Sequence, residues 1–478
     1  MPPKGRRKGK GKGKTLRAKK KTDGGGGKLT AATLEDAYGG GNDYGSDSEA
    51  SDASELTVMG GALAALDGQV DSIEDLSEKF NDLVEDLTEK RYTTREKALA
   101  EILILLCSGV RADLLDGQLE TIISDVCSCA KRGKGKESSL ASRVLALISI
   151  TLGADRDDIF GNVEAAMLQV ARRGKSDAAK AEAIYTLATI CFVSSTDEEA
   201  SWRTFTNIFS MFARESLGAG VASMKKPAAP AVLEAAALSW GLLATTVPRN
   251  NVVGGDAFEA YTSKLHPLLF HGSLPVRAAA GQAAALLYEF AGVSSVDDHG
   301  DIGGSDDDEE GEDQGAEEQD QDQDQGDEDA SVKSETIGET IARLATEYNR
   351  YKSKKERKEQ RYIFRDILQT VHHGERPEIS LTISGESIAF TSWTQIFRLN
   401  MLKRALSTGF QAHFSQNSLI RDIFMLGPPQ EMPTRLSSLE KRKYMSKNSA
   451  ASKELTLDRK FDRTARSNMK NAFLNADQ

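Results

Sequence analysis

Ala130-Lys131-Arg132-Gly133-Lys134 returns 41 positions later as Ala171-Arg172-Arg173-Gly174-Lys175. A basic pair followed by a glycine, twice in register, marks a repeated structural unit. The period falls in the window of about 40–47 residues used by helix-pair solenoids of the HEAT and armadillo type. The residues between the two copies have helical spacing. Leu140, Val144, Leu147 and Ile148 fall on one face, and Ala181, Ile184, Leu187 and Ala188 repeat that stripe in the next unit. Segments around Leu233–Thr245 and Val276–Phe290 are equally rich in Ala and Leu, so four or five helix pairs are expected over 71–292.

Outside that region the composition changes. Residues 1–28 carry 12 Lys/Arg against one acid, and an acidic serine tract, Ser46 to Glu55, follows. Residues 1–70 are therefore expected to be a disordered arm, because such composition cannot bury enough apolar surface to offset chain entropy. Ser46, Ser48, Ser51 and Ser54 lie among acids, as an acid-directed kinase requires. Residues 297–329 carry 18 Asp/Glu and no Lys/Arg, so 293–334 reads as an acidic disordered linker. The net charge of −11 is thus an average over segregated blocks, and opposite blocks imply partners of opposite sign. Shielding of the basic ends by the linker is one expectation from this segregation.

A second unit is expected over 335–430. A single long helix is predicted from Ile337 to Val371, with Ile337, Ile341, Leu344, Tyr348 and Tyr351 as its first apolar stripe. Ile379, Leu381 and Ile383 then alternate, Ser384-Gly385 turns, and Ile388 and Phe390 return, which predicts a β-hairpin. Trp393 to Leu406 reads as a helix, and Gly427-Pro428-Pro429 ends the compact part. The expected fold class is mainly α: an armadillo/HEAT-like helical repeat domain, a small α+β C-terminal domain, and a basic helical tail over 431–478.

Residue patterns for catalysis are weak. Gly13-Lys14-Thr15 resembles the end of a phosphate-binding loop, but Lys8 stands where the pattern needs glycine and no strand precedes it. Cys127-x-Cys129 has no second pair or His at zinc spacing, so small buried core residues are the better account. Cys107 and Cys191 complete a set without a secreted framework, which fits a reducing compartment. His266 and His271 read as structural, and His372-His373 as a helix end. No enzyme, metal, cofactor, small-molecule substrate, signal peptide or membrane span is predicted.

The binding signals are basic. In the tail, Arg459, Arg463, Arg466 and Lys470 form one helical stripe, Lys460 adds to it, and Lys441, Arg442 and Lys443 cluster before it. From 435 to 470 there are 11 Lys/Arg against four acids and few apolar residues, so this helix needs a partner, and structured RNA fits. A secondary basic patch is Lys352, Lys354, Lys355, Arg357, Lys358 and Arg361, whose plainer reading is a solvated face with Glu356 and Glu359 paired locally. The Lys/Gly arm is a nonspecific polyanion binder or a nuclear address.

Longer stretches carry a family likeness. They include Leu87-Thr88-Glu89-Lys90-Arg91, Arg95-Glu96-Lys97-Ala98-Leu99, Trp240-Gly241-Leu242-Leu243 and Val276-Arg277-Ala278-Ala279-Ala280-Gly281. Lys354-Lys355-Glu356-Arg357-Lys358, Ser392-Trp393 and Leu419-Ile420-Arg421-Asp422-Ile423-Phe424 continue it. In these the chain resembles the interferon-related developmental regulator family over nearly all of 75–470. The resemblance implies an armadillo-like domain followed by a family-specific one. It also implies association with ribosomes and rRNA, the C-terminal helix lying in an RNA path to repress or stall translation. Lys453, Arg459 and Arg463 match that basic pattern loosely, and Asp458 and Asp462 interrupt it. The alternative it implies is a nuclear co-regulator scaffold recruiting deacetylase-type chromatin complexes, with peptide motifs held in the repeat groove. The expected location is cytoplasmic, with a nuclear pool as the second expectation.

Overall fold

The computed structural model describes residues 73–213, 228–292, 336–346, 354–383 and 386–428. The basic arm, the acidic linker and the tail beyond 428 lie outside these residues. Five helix pairs stack in order: α1 (Ile73–Asp86) with α2 (Tyr92–Cys107), α3 (Leu119–Arg132) with α4 (Glu137–Leu152), and α5 (Asp157–Arg173) with α6 (Asp177–Ser194). Then α7 (Glu198–Ala213) pairs with α8 (Pro230–Ala244), and after the short α9 (Arg249–Val253), α10 (Ala257–Leu269) pairs with α11 (Leu274–Ala291). The second helices, α2, α4, α6, α8 and α11, pack on one another along the stack and form its inner layer. This is the helical repeat that the 41-residue period predicts.

The repeated sequence motif has a structural job. Gly133 and Gly174 follow α3 and α5, and each backbone N–H closes the helix on Cys129 O or Val170 O. A Cβ at either glycine would lie 2.6 Å from that same carbonyl oxygen. Only glycine lets the chain leave the helix so tightly.

The two layers differ in patterning. The outer helices bury one stripe, as Ile122, Ile123, Val126 and Ala130 do on α3. The inner helices are buried nearly all round: on α4, Val144 through Thr151 are all covered. An all-apolar helix needs protein on every side, and the outer layer covers only one. The other side is covered by the C-terminal half of the chain.

That half contains α12 (Ile337–Thr346), α13 (Lys354–His373), strands β1 (Ile379–Ile383) and β2 (Glu386–Phe390), and α14 (Trp393–Leu406). A 3₁₀ turn, Ser407–Gly409, leads to α15 (Phe410–Gln416) and α16 (Ser418–Ile423). The strands form an antiparallel hairpin in the register Ile379↔Phe390 to Ile383↔Glu386, as the alternation predicts. The single helix predicted from Ile337 to Val371 is instead two helices folded against each other. Gln360 Nε2 donates to Leu344 O at 2.9 Å. Sixteen residues along one helix would separate them by about 24 Å. The apolar stripe of α12 has its partner in the chain itself, so folding back buries more surface than running on.

The C-terminal half retraces the stack in reverse. Helix α13 lies on α11, α14 crosses α11, α8 and α4, and the 3₁₀ turn reaches α2. The buried apolar core is accordingly one body from Leu76 to Phe424. Two inner-helix glycines admit this second layer. A Cβ at Gly241 would sit 2.3 Å from Phe397 Cε1, and one at Gly281 would sit 3.0 Å from Phe364 Cε1.

These contacts separate two glycines that sequence cannot tell apart. Gly161, exposed on α5, has nothing within 4 Å of an added Cβ. Gly161→Ala should stabilise by about 0.5–1 kcal/mol through helix propensity. Gly241→Ala gains the same propensity term but overpacks against a buried ring, at a cost of about 1–3 kcal/mol. The expected result is a raised melting temperature for the first variant and a lowered one for the second, read by denaturant or thermal unfolding.

Candidate nucleic-acid interface

The predicted secondary basic patch falls on α13. This helix buries Gln360, Ile363, Phe364, Ile367 and Val371, and exposes Lys358, Arg361 and Arg365 at i, i+3 and i+7. Arg357 is half-buried, and Glu356 is exposed in the first turns. Lys354 and Lys355 begin the helix, and Lys352 lies outside the described residues. Of the patch, Lys358 and Arg361 therefore share one exposed face with Arg365. Its base is rigid: Arg277, buried on α11, donates through Nη2 to Gln360 Oε1 at 2.8 Å and through Nη1 to the carbonyls of His271 and Gly272.

Helix α14 carries two arginines that bond to the repeat helices, Arg398 half-buried and Arg404 exposed. Arg404 donates to Glu182 Oε2 at 2.6 Å, and its guanidinium carbon lies 3.8 Å from the Tyr185 ring centroid. Arg398 donates to Thr245 O at 3.1 Å and stacks over Phe192, where burial lowers its pKa from the usual arginine value. Trp393 donates its backbone N–H to Glu289 Oε2 at 2.7 Å and its Nε1–H to Thr370 Oγ1 at 2.9 Å. These residues hold the second layer to the repeats.

The last described segment fixes the point from which the tail departs. His413 Nε2 donates to Leu106 O at 2.8 Å, at the end of α2. Asn417 Nδ2 donates to Ile150 O at 2.8 Å, near the end of α4. Arg421 Nε donates to Gly427 O at 2.5 Å, next to Pro428. Phe424 packs edge-on against Phe390 of the hairpin at 5.2 Å between centroids. Of the predicted RNA-binding residues, Lys441, Arg442, Lys443, Arg459, Lys460, Arg463, Arg466 and Lys470 all lie outside the described residues.

Several functional anchors carried no sequence signal. Arg421 lies in the family-like stretch Leu419 to Phe424, but nothing local marked the partners of His413 and Asn417, which are backbone carbonyls 307 and 267 positions away. The buried Arg277 and the glycines inside α8 and α11 were the readable hints of a second layer. On the inner face of the repeats, where a peptide groove is expected, α13, α14 and the 3₁₀ turn pack against the inner helices.

The remaining candidates are structural. All four cysteines are buried, and burial pushes each thiol up to about 11. His266 Nε2 hydrogen-bonds Thr340 Oγ1 at 2.8 Å, and His271 Nδ1 accepts from the Ser273 N–H. Among the described residues no group of three or more His, Cys, Asp or Glu stands ready for a metal. Among them too, no helix is long and apolar enough to cross a membrane.

The anchor at His413 has a pH signature. Burial lowers its pKa from 6.5, and buried Nδ1 has no hydrogen-bond partner among the described residues, so a proton there would be unpaired among them. The unfolded chain then binds the proton more readily, and stability is held above pH about 6.5 and lost as pH falls below it. Melting temperature should drop between pH 7 and pH 5 (on the order of one imidazole's titration range). His413→Gln, which keeps a donor for Leu106 O, should flatten that slope.

Comparison with known proteins agrees with this architecture. The family model described as interferon-related developmental regulator matches residues 45–372, and the interferon-related protein conserved region matches 417–467. The interferon-related developmental regulator 2 of Mus musculus is 28% identical over 406 residues, covering 83% of this chain and 84% of the relative. The interferon-related developmental regulator 1 of Homo sapiens is 25% identical over 414 residues, covering 84% and 83%. With a family model matching residues 45–372, well over half of its length, this chain belongs to the interferon-related developmental regulator family.

Proposed function

We propose that the protein is a non-catalytic regulatory scaffold that associates with ribosomes and represses translation by placing its basic C-terminal helix in an RNA-lined channel. Membership in a family of regulators supports the regulatory role. The observation that carries the finer reading is the tail's charge pattern together with its rigid root. Residues 435–470 hold 11 Lys/Arg and too few apolar residues for a core, and they follow a segment bonded to α2 and α4. A basic helix without a core folds against a polyanion, and a fixed root lowers the entropy lost on binding. From Pro428 to Lys470, a helical tail reaches about 63 Å, enough to enter a channel while the repeats stay at its mouth.

In this reading Arg459, Lys460, Arg463, Arg466 and Lys470 contact phosphates, and Lys441 to Lys443 anchor the start of the helix. The conserved-region match runs to residue 467 and so spans most of these positions. The α13 stripe, Lys358 and Arg361 with Arg365, is a second contact. The place of action is the cytoplasm, with a nuclear pool directed by the Lys/Gly arm. The packing of α13 and α14 on the inner face favours this reading over a co-regulator scaffold with a peptide groove there.

Deleting residues from 435 onward should release the protein from ribosomes in a low-salt sucrose gradient. Reversing Arg459, Arg463, Arg466 and Lys470 to Glu should do the same without shortening the chain. Undiminished co-sedimentation of both variants would remove the tail from the mechanism.

A further inference from the structure

We propose that the loops entering α2, α4 and α6 form a docking edge for the phosphodiester backbone of structured RNA, separate from the C-terminal tail. The choice of RNA among polyanions rests on the reading of the tail given above.

The edge is a ladder. Lys90-Arg91, Lys131-Arg132 and Arg172-Arg173 follow one another at intervals of 41 residues, and each pair lies at the turn from an outer to an inner helix. All six side chains are exposed, as are Lys134, Lys136 and Lys175 in the same turns. The rungs are tied together. Cys129 Sγ, at the end of α3, lies 3.8 Å from Leu87 O in the first turn. Arg95 of α2 pairs with Glu137 of α4 at 2.6 Å. Lys175 Nζ donates to Arg132 O at 3.0 Å, joining the third turn to the second.

Carboxylates at this edge are few, and one of them, half-buried Glu96 of α2, lies beside Gly135 in the second turn. Glu137 is buried and takes both Arg95 and the Lys134 backbone N–H. Asp177 pairs with Lys180 at 3.0 Å. Glu89 is the other exposed acid in these turns.

Helix electrostatics account for only part of this charge. Cations in the last turns of α3 and α5 are favoured by the negative end of the helix dipole, which explains Lys131, Arg132, Arg172 and Arg173. The same argument runs against the others. Arg91 and Lys136 occupy the N-cap positions of α2 and α4, and neither makes a side-chain cap. Lys175 directly precedes Ser176, the N-cap of α6. N-caps favour Ser, Thr, Asp or Asn, and a cation there faces the positive end of the dipole. An anion on this edge would offset both the cations and the helix ends. Between the second and third turns lies a cleft of about 280 Å³ lined by Gly133, Lys134, Gly135, Lys175 and Ser176, with space for a phosphate.

The edge lies opposite the tail's root. The cationic turns sit at the starts of α2 and α4, while His413 and Asn417 are bonded at the ends of the same helices. Helices of 16 residues place the two about 24 Å apart. Successive helices in the stack lie about 8–10 Å apart, so three rungs present a rigid row that suits a rigid polyanion.

The test uses the full chain, the chain ending at 434, and the variant with Lys131, Arg132, Arg172 and Arg173 all changed to Glu. Each is titrated against a labelled RNA duplex of about 24 base pairs by anisotropy, between about 50 and 200 mM salt. The Glu variant should lose at least about tenfold in affinity, and its log–log salt slope should flatten by about 3, from four lost contacts at about 0.7–0.9 each. Exchanging these Lys and Arg for one another should leave the affinity unchanged, and a melting temperature equal to wild type shows that the fold survives. If charge reversal unfolds the chain, Lys131→Gln with Arg173→Gln replaces it, with about half the effect on slope. Wild-type affinity in the Glu variant overturns the proposal, and if the truncated chain fails to bind in that case, the tail reading still stands. A truncated chain that binds, with a Glu variant that does not, upholds the edge without the tail. If RNA binds only after the acids of 297–329 are neutralised, and then equally to the Glu variant, the edge belongs to that acidic segment and the proposal falls.

Discussion

Two close approaches between layers govern this protein: Phe397 over Gly241, and Phe364 over Gly281. An inner repeat helix has two apolar faces, and the outer helices cover only one. The second face is closed by rings that come from the far half of the chain and need backbone-level access to the inner helices. Each fully buried Phe is worth about 1.5–3 kcal/mol of transfer free energy, provided nothing occupies the space under its ring. Glycine supplies that space in both cases. Removing the second layer would leave the buried faces of α4, α6, α8 and α11 in water.

This closure changes what kind of scaffold the protein is. Open helical solenoids bind partners along the inner face of the stack. Here that face is spent on the chain's own α13 to α16, and the cations of α14 are spent there too, in Arg398 and Arg404. Among the described residues, exposed cations remain in the turns between helices and on the Lys358, Arg361 and Arg365 stripe of α13. The two kinds of arginine are not distinguishable by residue type. Arg398 and Arg361 both lie on helices among apolar neighbours, but one stacks half-buried over Phe192 and the other faces water.

The helix ends also divide by layer. At one edge of the stack the inner helices begin among Arg91, Lys136 and Lys175, and at the other they end on His413 and Asn417. A helix presents unbonded N–H groups at its start and unbonded carbonyls at its end. The carbonyl edge is satisfied by polar side chains from the second layer. The N–H edge carries cations instead, which leaves it suited to anions.

The repeat was legible in the sequence because it rests on local rules. A 41-residue period, a glycine after α3 and again after α5, and a 3.6-residue apolar spacing are properties of neighbouring residues, and they predicted the helix pairs. The hairpin over 379–390 and the helix from Trp393 to Leu406 were legible for the same reason: strand alternation and the Ser392 cap act within a few residues. The division of Ile337–Val371 into α12 and α13 was not, because it depends on Gln360 meeting Leu344 and Arg277 across a fold-back. Nor was the filling of the inner face, nor the sorting of cations into buried and exposed. Those outcomes are set by contacts between residues 83 to 307 positions apart. The sequence by itself determined which segments are helices and where the charge lies; only tertiary packing decided which helix faces, and which charges, remain open to a partner.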